Sequence, residues 1–442
     1  MSTAYLAQTV KQALREKLHR EIVPQLEELI DSLPEELTAL SQAEQQLRDG
    51  GLQTARSLLQ GWGEVAQRTI ERPCCAKCGM PMRHKGLKPI GLVTTIGDIR
   101  CRRPRYRCQT CGSECYPHDA SLRFQGHAVT PRLAKVVSRL CAQLSFGQAR
   151  DNLRADYPVR LAKQTMTDIA EVAGQRVNEQ EDDERQRIMD RQQPLPESNL
   201  TPDKACVFAD GTTVHTEGDW HEIRVATATA YDAQDKPLAR QSRARFLGVG
   251  QIAWVLLLLA RSVGWQNARL RAFIADGAHW LWNIAEQYFP SAVQILDWYH
   301  LSEHVHKAAR IVFGEGSAQG ADWAKACKTA LWEGQVATAL ALVSKELARV
   351  RSAAKRAGLQ ELQTYLHNNQ TRVDYPRYRE MGLPIGSGEV EAQCKTLVGA
   401  RCKLAGMRNW KYAGAENVLR LRAAIQNGTY DRLWEQQFGV AA

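Results

Sequence analysis

The sequence contains no long hydrophobic run. Its longest apolar stretch covers nine residues, 252–260, and ends at Arg261, whereas a helix that crosses a bilayer takes about 20 apolar residues. The first twelve residues also lack the apolar segment of a secretory signal peptide. These absences argue against a membrane protein or a secreted protein, and they predict a cytoplasmic protein with no membrane partner.

Internal repeats and low-complexity tracts are absent as well, and so is an aromatic-rich RNA-recognition motif. The last absence argues against an RNA-binding protein. What the chain does have is 442 residues of ordinary composition, 44% hydrophobic and 24% charged. Such a chain can bury cores of normal size, and at about 100–200 residues per domain it predicts two to four domains.

Positive charge is in excess, with a formal net charge of +10 and a sequence isoelectric point of about 9.0. A basic protein of this kind favours a polyanionic partner, nucleic acid first and an anionic membrane surface second. The charge alone raises the case for nucleic acid only modestly, so its placement along the chain matters more.

Cysteine is concentrated in one segment, because seven of the twelve cysteines lie within residues 74–115. Cys75 and Cys78 form one C-x2-C pair, and Cys108 and Cys111 form a second. Two such pairs offer four thiolates to one tetrahedral ion, which predicts a structural Zn²⁺ site in a zinc ribbon. Cys74 stands next to the first pair and is an alternative ligand.

Five arginines and one tyrosine occupy residues 100–107, between the two cysteine pairs. The segment has strand character, and alternate side chains of a strand share a face. Several guanidinium groups can therefore follow DNA phosphates, with Tyr106 beside them. The predicted DNA-contacting residues here are Arg100, Arg102, Arg103, Arg105 and Arg107.

The remaining N-terminal half is predicted to be helical. Residues 1–70 have the apolar spacing of helices, with a break at the Asp-Gly-Gly of residues 49–51. Residues 71–120 form the cysteine-rich module. Residues 128–177 predict a helix-turn-helix, with Ser145 as an N-cap and Lys163 as a further DNA-contacting residue. A polar linker or exposed helix follows over residues 178–199.

The C-terminal half mixes strands and helices. Short apolar runs alternate with helical patterns over residues 201–300, which predicts an α/β sheet. Residues 301–380 are helical throughout, and residues 384–442 open with a Gly-Ser-Gly turn and continue as helix. The chain as a whole is therefore predicted to be a multidomain α/β protein.

Two aspartates each follow a short apolar run and precede a glycine. Asp210 follows the run 206–209, and Asp276 follows the run 273–275. Both are predicted to end a buried strand, and ligand sites of open α/β sheets gather at strand ends. Two carboxylates on neighbouring strand ends can bind a pair of Mg²⁺ ions, although Asp-Gly is also a common turn after a strand.

Glu391 is the candidate for a third acid. It lies in the first turn of the helix that follows the Gly-Ser-Gly turn, where it would project back toward the sheet edge. Glu389 is the alternative, and the two face different ways on a helix. Either residue can instead stabilise the positive N-terminal end of that helix.

Four segments together resemble a known family. They are residues 209–212 (ADGT), 275–280 (ADGAHW), 296–300 (LDWYH) and 386–391 (GSGEVE), the last continuing into 399–407 (GARCKLAGM). In this order they are similar to DDE transposases of bacterial insertion sequences, most closely the ISKra group, and distantly to mutator-type transposases. The similarity extends from the zinc ribbon to the C-terminal helix.

The resemblance implies an RNase H-like core. Residues 201–300 would form its first part, residues 384–442 its C-terminal helical part, and residues 301–380 a helical insertion. It implies that Asp210, Asp276 and Glu391 are the catalytic carboxylates and hold Mg²⁺ (or Mn²⁺).

The segment 296–300 resembles the C/D-x2-H signature of several transposase superfamilies. This makes Asp297 a rival of Asp276 for the second metal ligand, and we favour Asp276. His300 is a candidate to contact the scissile phosphate or to orient a carboxylate, although it can equally be an interfacial histidine.

The expected function is Mg²⁺-dependent cleavage and transfer of DNA strands by a nucleoid-associated transposase. Its partner would be double-stranded DNA, both element ends and target, and the pairing of two ends argues for a homodimer or larger assembly. Two alternatives share these motifs. One is a catalytically silent DNA-binding regulator derived from a transposase, and the other is a metal-dependent nuclease that does not join strands.

Overall fold

A computed structural model describes residues 11–65 and 72–440. The ends of the predicted helical region 1–70, namely residues 1–10 and 66–70, lie outside the described residues. The chain divides into two units, one of residues 1–173 and 431–442 and the other of residues 174–430. It is a multidomain α/β protein, as predicted. None of the helices within the described ranges is both long enough and apolar enough to cross a membrane.

The first unit begins with helices. A π-helical turn, Leu18–Ile22, leads into α1, Val23–Asp31, and α2 follows over Leu40–Val65. The predicted break at residues 49–51 is wrong, because α2 runs through it. Gly50 faces Leu29, and a Cβ at this position would collide with that leucine side chain. The glycine therefore permits a close approach of two helices and does not end one.

A three-stranded antiparallel sheet follows in the order β1-β2-β3. Its strands are β1, Arg83–Thr94, β2, Gly97–Arg107, and the short β3, Glu114–Cys115. The turn between β1 and β2 uses Gly97 at a φ of +108°, a conformation that side chains rarely adopt. The strand character that the sequence indicates for residues 100–107 is confirmed, because all of these residues belong to β2.

Helices follow the sheet in the first unit. They are α3, Asp119–Leu122, α4, Pro131–Gln143, α5, Phe146–Asp156, and the start of α6, Lys163–Met189. Ser145 caps α5 as predicted, and it forms a reciprocal capping box with Gln148. Residues 178–199 were predicted as a polar linker or an exposed helix, and they are helical as the end of α6 as far as Met189 and irregular only after it.

The second unit contains a five-stranded mixed sheet in the order β6-β5-β4-β7-β8. Strands β4, β5 and β6 pair in antiparallel fashion, whereas β7 and β8 extend the sheet from β4 in parallel. The strands are β4, Lys204–Thr216, β5, Asp219–Tyr231, β6, Pro237–Arg245, β7, Leu270–Ala275, and β8, Val293–Leu296.

Helices follow and separate these strands. Helix α7, Val249–Ser262, precedes β7 in the chain, and helix α8, His279–Tyr288, lies between β7 and β8. The predicted helical segment comes next and comprises α9, Trp298–Phe313, α10, Ala318–Trp332, α11, Val336–Arg349, α12, Ala353–Asn369, and α13, Tyr375–Glu380.

The last part of the second unit contains an irregular helix. It begins as α14, Gly388–Gln393, widens into a π-helix over Cys394–Gly399, and ends as α15, Ala400–Cys402. Two further helices follow in sequence, α16, Tyr412–Gln426, which belongs to the second unit, and α17, Tyr430–Phe438, which belongs to the first unit from residue 431 onward. On the π-helix, the carbonyl of Thr396 accepts hydrogen bonds from the side chains of Arg422 and Gln426 on α16.

Candidate metal centres and nucleic-acid contacts

The four predicted zinc ligands come together. Their sulfur atoms all lie within 4.8 Å of one another, and this group is the only set of three or more potential metal ligands that converges so closely in the described part of the chain. The Cys75 and Cys111 sulfurs are 3.5 Å apart, as are those of Cys78 and Cys108. The two C-x2-C turns thus bring together thiols that are distant in sequence.

These distances fit a zinc ion. Thiolates at about 2.3 Å from a tetrahedral zinc ion lie about 3.8 Å from one another. Hydrogen bonding with Ser113 lowers the pKa of the Cys111 thiol to about 6, which favours the thiolate that binds metal. The cluster can therefore bind a structural zinc ion. Cys74 stands outside it and is exposed, which resolves the choice of register in favour of Cys75.

The five arginines of β2 do not share one face. Arg100 and Arg102 alternate on one side and are exposed, whereas the other three belong to the opposite side. Arg103 forms an ion pair with Asp119 and Arg105 with Glu114. The third residue of that side, Arg107, is exposed. The arginines open to a polyanion are therefore Arg100, Arg102 and Arg107.

Tyr106 differs from its predicted place beside the arginines. Only 6% of its surface is exposed, and it packs with Met82 against the zinc-site residues Cys75 and Cys108. Lys163, by contrast, is exposed at the start of α6. Arg154 and Arg160 of the predicted helix-turn-helix line a cleft of about 670 Å³.

In the second unit, three aspartates lie at the same level of adjacent strands. Phe208 pairs with Ile274, so Asp210 and Asp276, each two residues further on, are side by side. Ala275 pairs with Leu296, so Asp297 aligns with Asp276. Only Asp276 and Asp297 follow the end of a strand. The prediction that Asp210 ends its strand is wrong, because β4 continues to Thr216 with β5 as its partner.

The Asp210 carboxylate accepts two hydrogen bonds. Its Oδ1 accepts a hydrogen bond of 2.7 Å from the Gly211 amide, and its Oδ2 accepts one of 3.6 Å from the Cys394 thiol. Burial raises the pKa of the Asp210 carboxyl above its usual range, against the opposing bond from Gly211. The nearby carboxylates of Asp276 and Glu391 raise this pKa further, because they carry the same charge.

Asp276 is positioned by its own loop and by the helical segment. Its Oδ1 accepts a hydrogen bond of 2.9 Å from the Ala278 amide. Its carbonyl oxygen accepts one from the Tyr365 hydroxyl of α12. Between these contacts, Gly277 adopts a φ of +98°, and a Cβ there would meet the Tyr365 ring. The close approach of α12 to this loop therefore requires glycine.

The two glutamates of α14 point in different directions. Glu389 accepts hydrogen bonds from the Tyr231 hydroxyl and from Arg240, at 3.3 and 3.1 Å. Glu391 instead lies 3.4 Å from the Ser387 hydroxyl and close enough to Asp210 to raise its pKa. The geometry thus separates the alternatives, with Glu391 beside the aspartates and Glu389 paired at the β6 side of the sheet.

Asp297 is fully buried, and both of its carboxylate oxygens accept hydrogen bonds. One carboxylate oxygen accepts the amides of Tyr299 and His300, at 2.6 and 3.1 Å. The other accepts the Ser387 amide at 2.7 Å and also the Ser387 hydroxyl. Asp297 therefore caps α9 and fixes the Gly-Ser-Gly turn that precedes Glu391, which leaves little room for a role as metal ligand.

His300 lies in the first turn of α9 with 43% of its side chain exposed, and its ring nitrogen is 3.9 Å from the Glu303 carboxylate. Sequence reasoning missed three positioning residues, namely Ser387, Cys394 and Tyr365. Ser387 lies within a motif that was recognised, and Cys394 follows Glu391 by one helical turn. Nothing in the sequence near Tyr365 points to the aspartate loop.

Asp210, Asp276 and Glu391 are termed the carboxylate cluster below. Among the ion pairs formed by described residues, none involves a member of this cluster. Three uncompensated carboxylates with free oxygen atoms are the donor set that Mg²⁺ or Mn²⁺ prefers. The residues therefore fit such an ion chemically, although their oxygen atoms do not converge as the four sulfurs do.

A scan of the sequence against protein-family models found no match, and a search of curated proteins found no significant relative.

Proposed function

We propose that this chain is a DDE-type transposase of a bacterial insertion sequence, which cleaves DNA at element ends and joins the ends to target DNA. The observation that carries the proposal is the carboxylate cluster beside the neighbouring strands β4 and β7 of a mixed sheet, where burial raises the pKa of the partly buried Asp210 and the carboxylates of Asp276 and Glu391 raise it further. Acids without a cationic partner are costly to assemble, and a divalent cation would offset that cost. The strand order supports the RNase H-like core that the resemblance implies.

The carboxylate cluster would hold Mg²⁺ (or Mn²⁺). When bound, such ions activate a water molecule or a 3′-OH and stabilise the leaving oxygen of a phosphodiester. The chain's own contribution is positioning. Hydrogen bonds from Gly211 and Cys394 fix Asp210, and the Ala278 amide fixes one oxygen of Asp276. Each aspartate keeps lone pairs directed away from these donors for a ligand.

Recognition of DNA would rest on the first unit. The zinc cluster would fix the ribbon, so that the exposed Arg100, Arg102 and Arg107 present their charges on a rigid strand. Lys163 and the helices around it would add further contacts to the phosphate backbone. Pairing of two element ends would require a homodimer or a larger assembly.

One observation favours the silent regulator as a second candidate. In the described residues only the four cysteines form a compact set of metal ligands. A DNA-binding protein that had lost its chemistry would keep the zinc ribbon and the fold while its carboxylates remained apart.

The deciding experiment is strand cleavage and joining on labelled duplexes that carry the DNA flanking the coding sequence, with Mg²⁺ or Mn²⁺. Glu391→Gln and Glu389→Gln form a matched pair, since both change a glutamate of α14 and only Glu391 belongs to the carboxylate cluster. We expect Asp210→Asn, Asp276→Asn and Glu391→Gln to abolish both reactions with DNA binding intact, and Glu389→Gln to retain them.

Other outcomes identify the alternatives. Binding of the ends without cleavage by the wild type would establish the regulator. Cleavage without joining would establish the nuclease. Equal loss in Glu389→Gln and Glu391→Gln would contradict the assignment of Glu391.

A further inference from the structure

Helix α9 lines a cleft of about 540 Å³, and the lining includes none of the three residues of the carboxylate cluster. Six side chains of α9 border it, and they are termed the imidazole cleft: His300, Glu303, His304, His306, Lys307 and Arg310. Three imidazoles and two permanent cations face one carboxylate. The cleft is therefore rich in hydrogen-bond donors that suit an anion.

The charge of the imidazole cleft depends on its histidines. Outside the cleft, Glu361 pairs with Lys307 at 2.6 Å and Glu315 with Arg310 at 3.8 Å. Lys328 of α10 approaches one of the imidazoles at 3.4 Å. Counted together, the lining and these partners have no formal net charge when the three imidazoles are neutral. They carry three positive charges when all three are protonated.

A stacked pair connects the cleft with the carboxylate cluster. The His304 ring lies flat on the Tyr365 ring, with centroids 4.1 Å apart and an angle of 16° between the planes. The Tyr365 hydroxyl in turn donates to the carbonyl of Asp276. An anion in the cleft would thus lie one aromatic ring away from the loop that carries a proposed catalytic carboxylate.

We propose that the imidazole cleft binds a phosphodiester of the DNA strand whose neighbouring phosphodiester lies at the carboxylate cluster. This inference rests on the proposed function and names a subsite for its substrate. Phosphate oxygens accept charge-assisted hydrogen bonds from imidazolium, ammonium and guanidinium groups. A metal ion is not favoured, because Lys307 and Arg310 place two positive charges in the lining of this cleft.

Binding of a phosphate is expected to be coupled to proton uptake. Burial lowers the pKa of His304, and the facing His300 and Lys307 lower it further, against the opposing charges of Glu361 and Asp276. Burial also lowers the pKa of His306, as do Lys328 and Arg310. A bound phosphate supplies negative charge that raises both pKa values. Binding should therefore tighten as the pH falls.

The test uses the full chain labelled with ¹³C at histidine Cε1, and pentathymidylate as the probe. Resonances are assigned through His300→Gln, His304→Gln and His306→Gln. We expect the three assigned resonances to shift in a saturable manner with pentathymidylate and to remain unchanged with thymidine, which lacks phosphate. For each proton taken up, the affinity at this site should fall about tenfold per pH unit once the imidazoles are neutral.

Charge removal provides a second readout. Lys307 and Arg310 are 50% and 53% exposed, so each can exchange its glutamate partner for a phosphate, unlike Arg103, which is 11% exposed. In Lys307→Gln/Arg310→Gln, the plot of log affinity against log salt should lose about 1.4 in slope, since each phosphate contact on a single strand contributes about 0.7. The matched control is Lys325→Gln, an exposed lysine of α10 outside the cleft, and it should bind as the wild type does. Unchanged histidine resonances at saturating pentathymidylate would overturn the proposal.

Two further arms identify the ligand. Inorganic phosphate that displaces pentathymidylate at equal concentration would overturn a DNA subsite in favour of a free-anion site. Tighter binding of hexaglutamate would overturn it in favour of an acidic peptide. The outcome is separable from that of the proposed function. Cleavage with silent histidine resonances refutes only the cleft, whereas shifted resonances without cleavage refute only the transposase.

Discussion

Replacing Asp297 with asparagine tests whether this residue is a structural anchor or a metal ligand. Two donors converge on each of its oxygen atoms, the amides of Tyr299 and His300 on one and the amide and hydroxyl of Ser387 on the other. An asparagine can turn its NH₂ group toward the Ser387 hydroxyl, which can accept as well as donate, but the Ser387 amide then faces a donor. At least one hydrogen bond to a buried carboxylate is therefore lost, and at about 1.5–3 kcal/mol for such a bond the free energy of unfolding should fall by at least about 1.5–3 kcal/mol.

The assay is urea unfolding of the full chain, followed by circular dichroism. Asp276→Asn is the matched control, since this side chain is only partly buried and its carboxylate accepts a single amide bond from Ala278. We expect that control to unfold within about 1 kcal/mol of the wild type. If Asp297→Asn also unfolds like the wild type and yet loses cleavage, Asp297 is a ligand and the argument from its hydrogen bonds is refuted.

Three further predictions concern zinc, pH and DNA contacts. Cys108→Ser should lose the bound zinc and unfold the ribbon, whereas Cys74→Ser should keep one zinc per chain by mass spectrometry, because Cys74 lies outside the cluster; equal zinc loss would contradict this. Because the pKa of Asp210 is raised in the folded chain, folding binds protons here and stability falls as the pH rises from the ordinary carboxyl pKa through the raised one. Asp210→Asn should therefore unfold at higher urea than the wild type at neutral pH, with no gain at acidic pH, and a lower midpoint at neutral pH would refute the pKa assignment. Arg102→Gln should reduce the salt dependence of duplex binding by about 0.9 in slope, whereas Arg103→Gln, whose charge is paired with Asp119, should leave that slope unchanged and lower the unfolding midpoint; the reverse pattern would contradict the faces assigned to β2.

The parts of the molecule that the sequence predicts well depend on local chemistry. The two C-x2-C turns place their cysteines whatever surrounds them, and the predicted cluster is confirmed in its sulfur geometry. The capping box at Ser145 also involves residues within one helical turn. In both cases the spacing of a few neighbouring residues determines the structure.

Strand β6 was missed because three of its four buried side chains are not apolar. Ser242, Arg243 and Arg245 are all buried. Ser242 bonds to Thr227 on β5, and the two arginines pair with acids, as Arg243 does with Glu181. The alternation of apolar and polar residues that indicates a strand is therefore absent from this segment. Only the fold supplies the partners that make this segment part of a sheet.

Contacts between distant residues were beyond prediction for a related reason. Asp297 and Ser387 are 90 residues apart in sequence, and the sequence around each fits several roles. The same holds for Asp210. Its strand β4 continues past the Asp-Gly pair to Thr216, because β5 pairs with it up to that residue, which lies opposite Asp219. A motif identifies which residues matter, and the tertiary partners determine what each one does.

The π-helix after Glu391 makes this segment respond differently to a lost and to a gained residue. It accommodates an extra residue within a helix, and its Thr396 carbonyl accepts a hydrogen bond from Arg422 on α16. Deletion of one residue from 394–399 would remove that extra residue and permit an ordinary α-helix that keeps the turns on either side nearly in place, whereas a further inserted residue would turn one side by about 100° relative to the other. Lys403, which bonds to Thr212 on β4, should therefore stay aligned with Glu391 after a deletion and lose that alignment after an insertion. We therefore expect homologous chains to lose a residue from this stretch far more readily than to gain one.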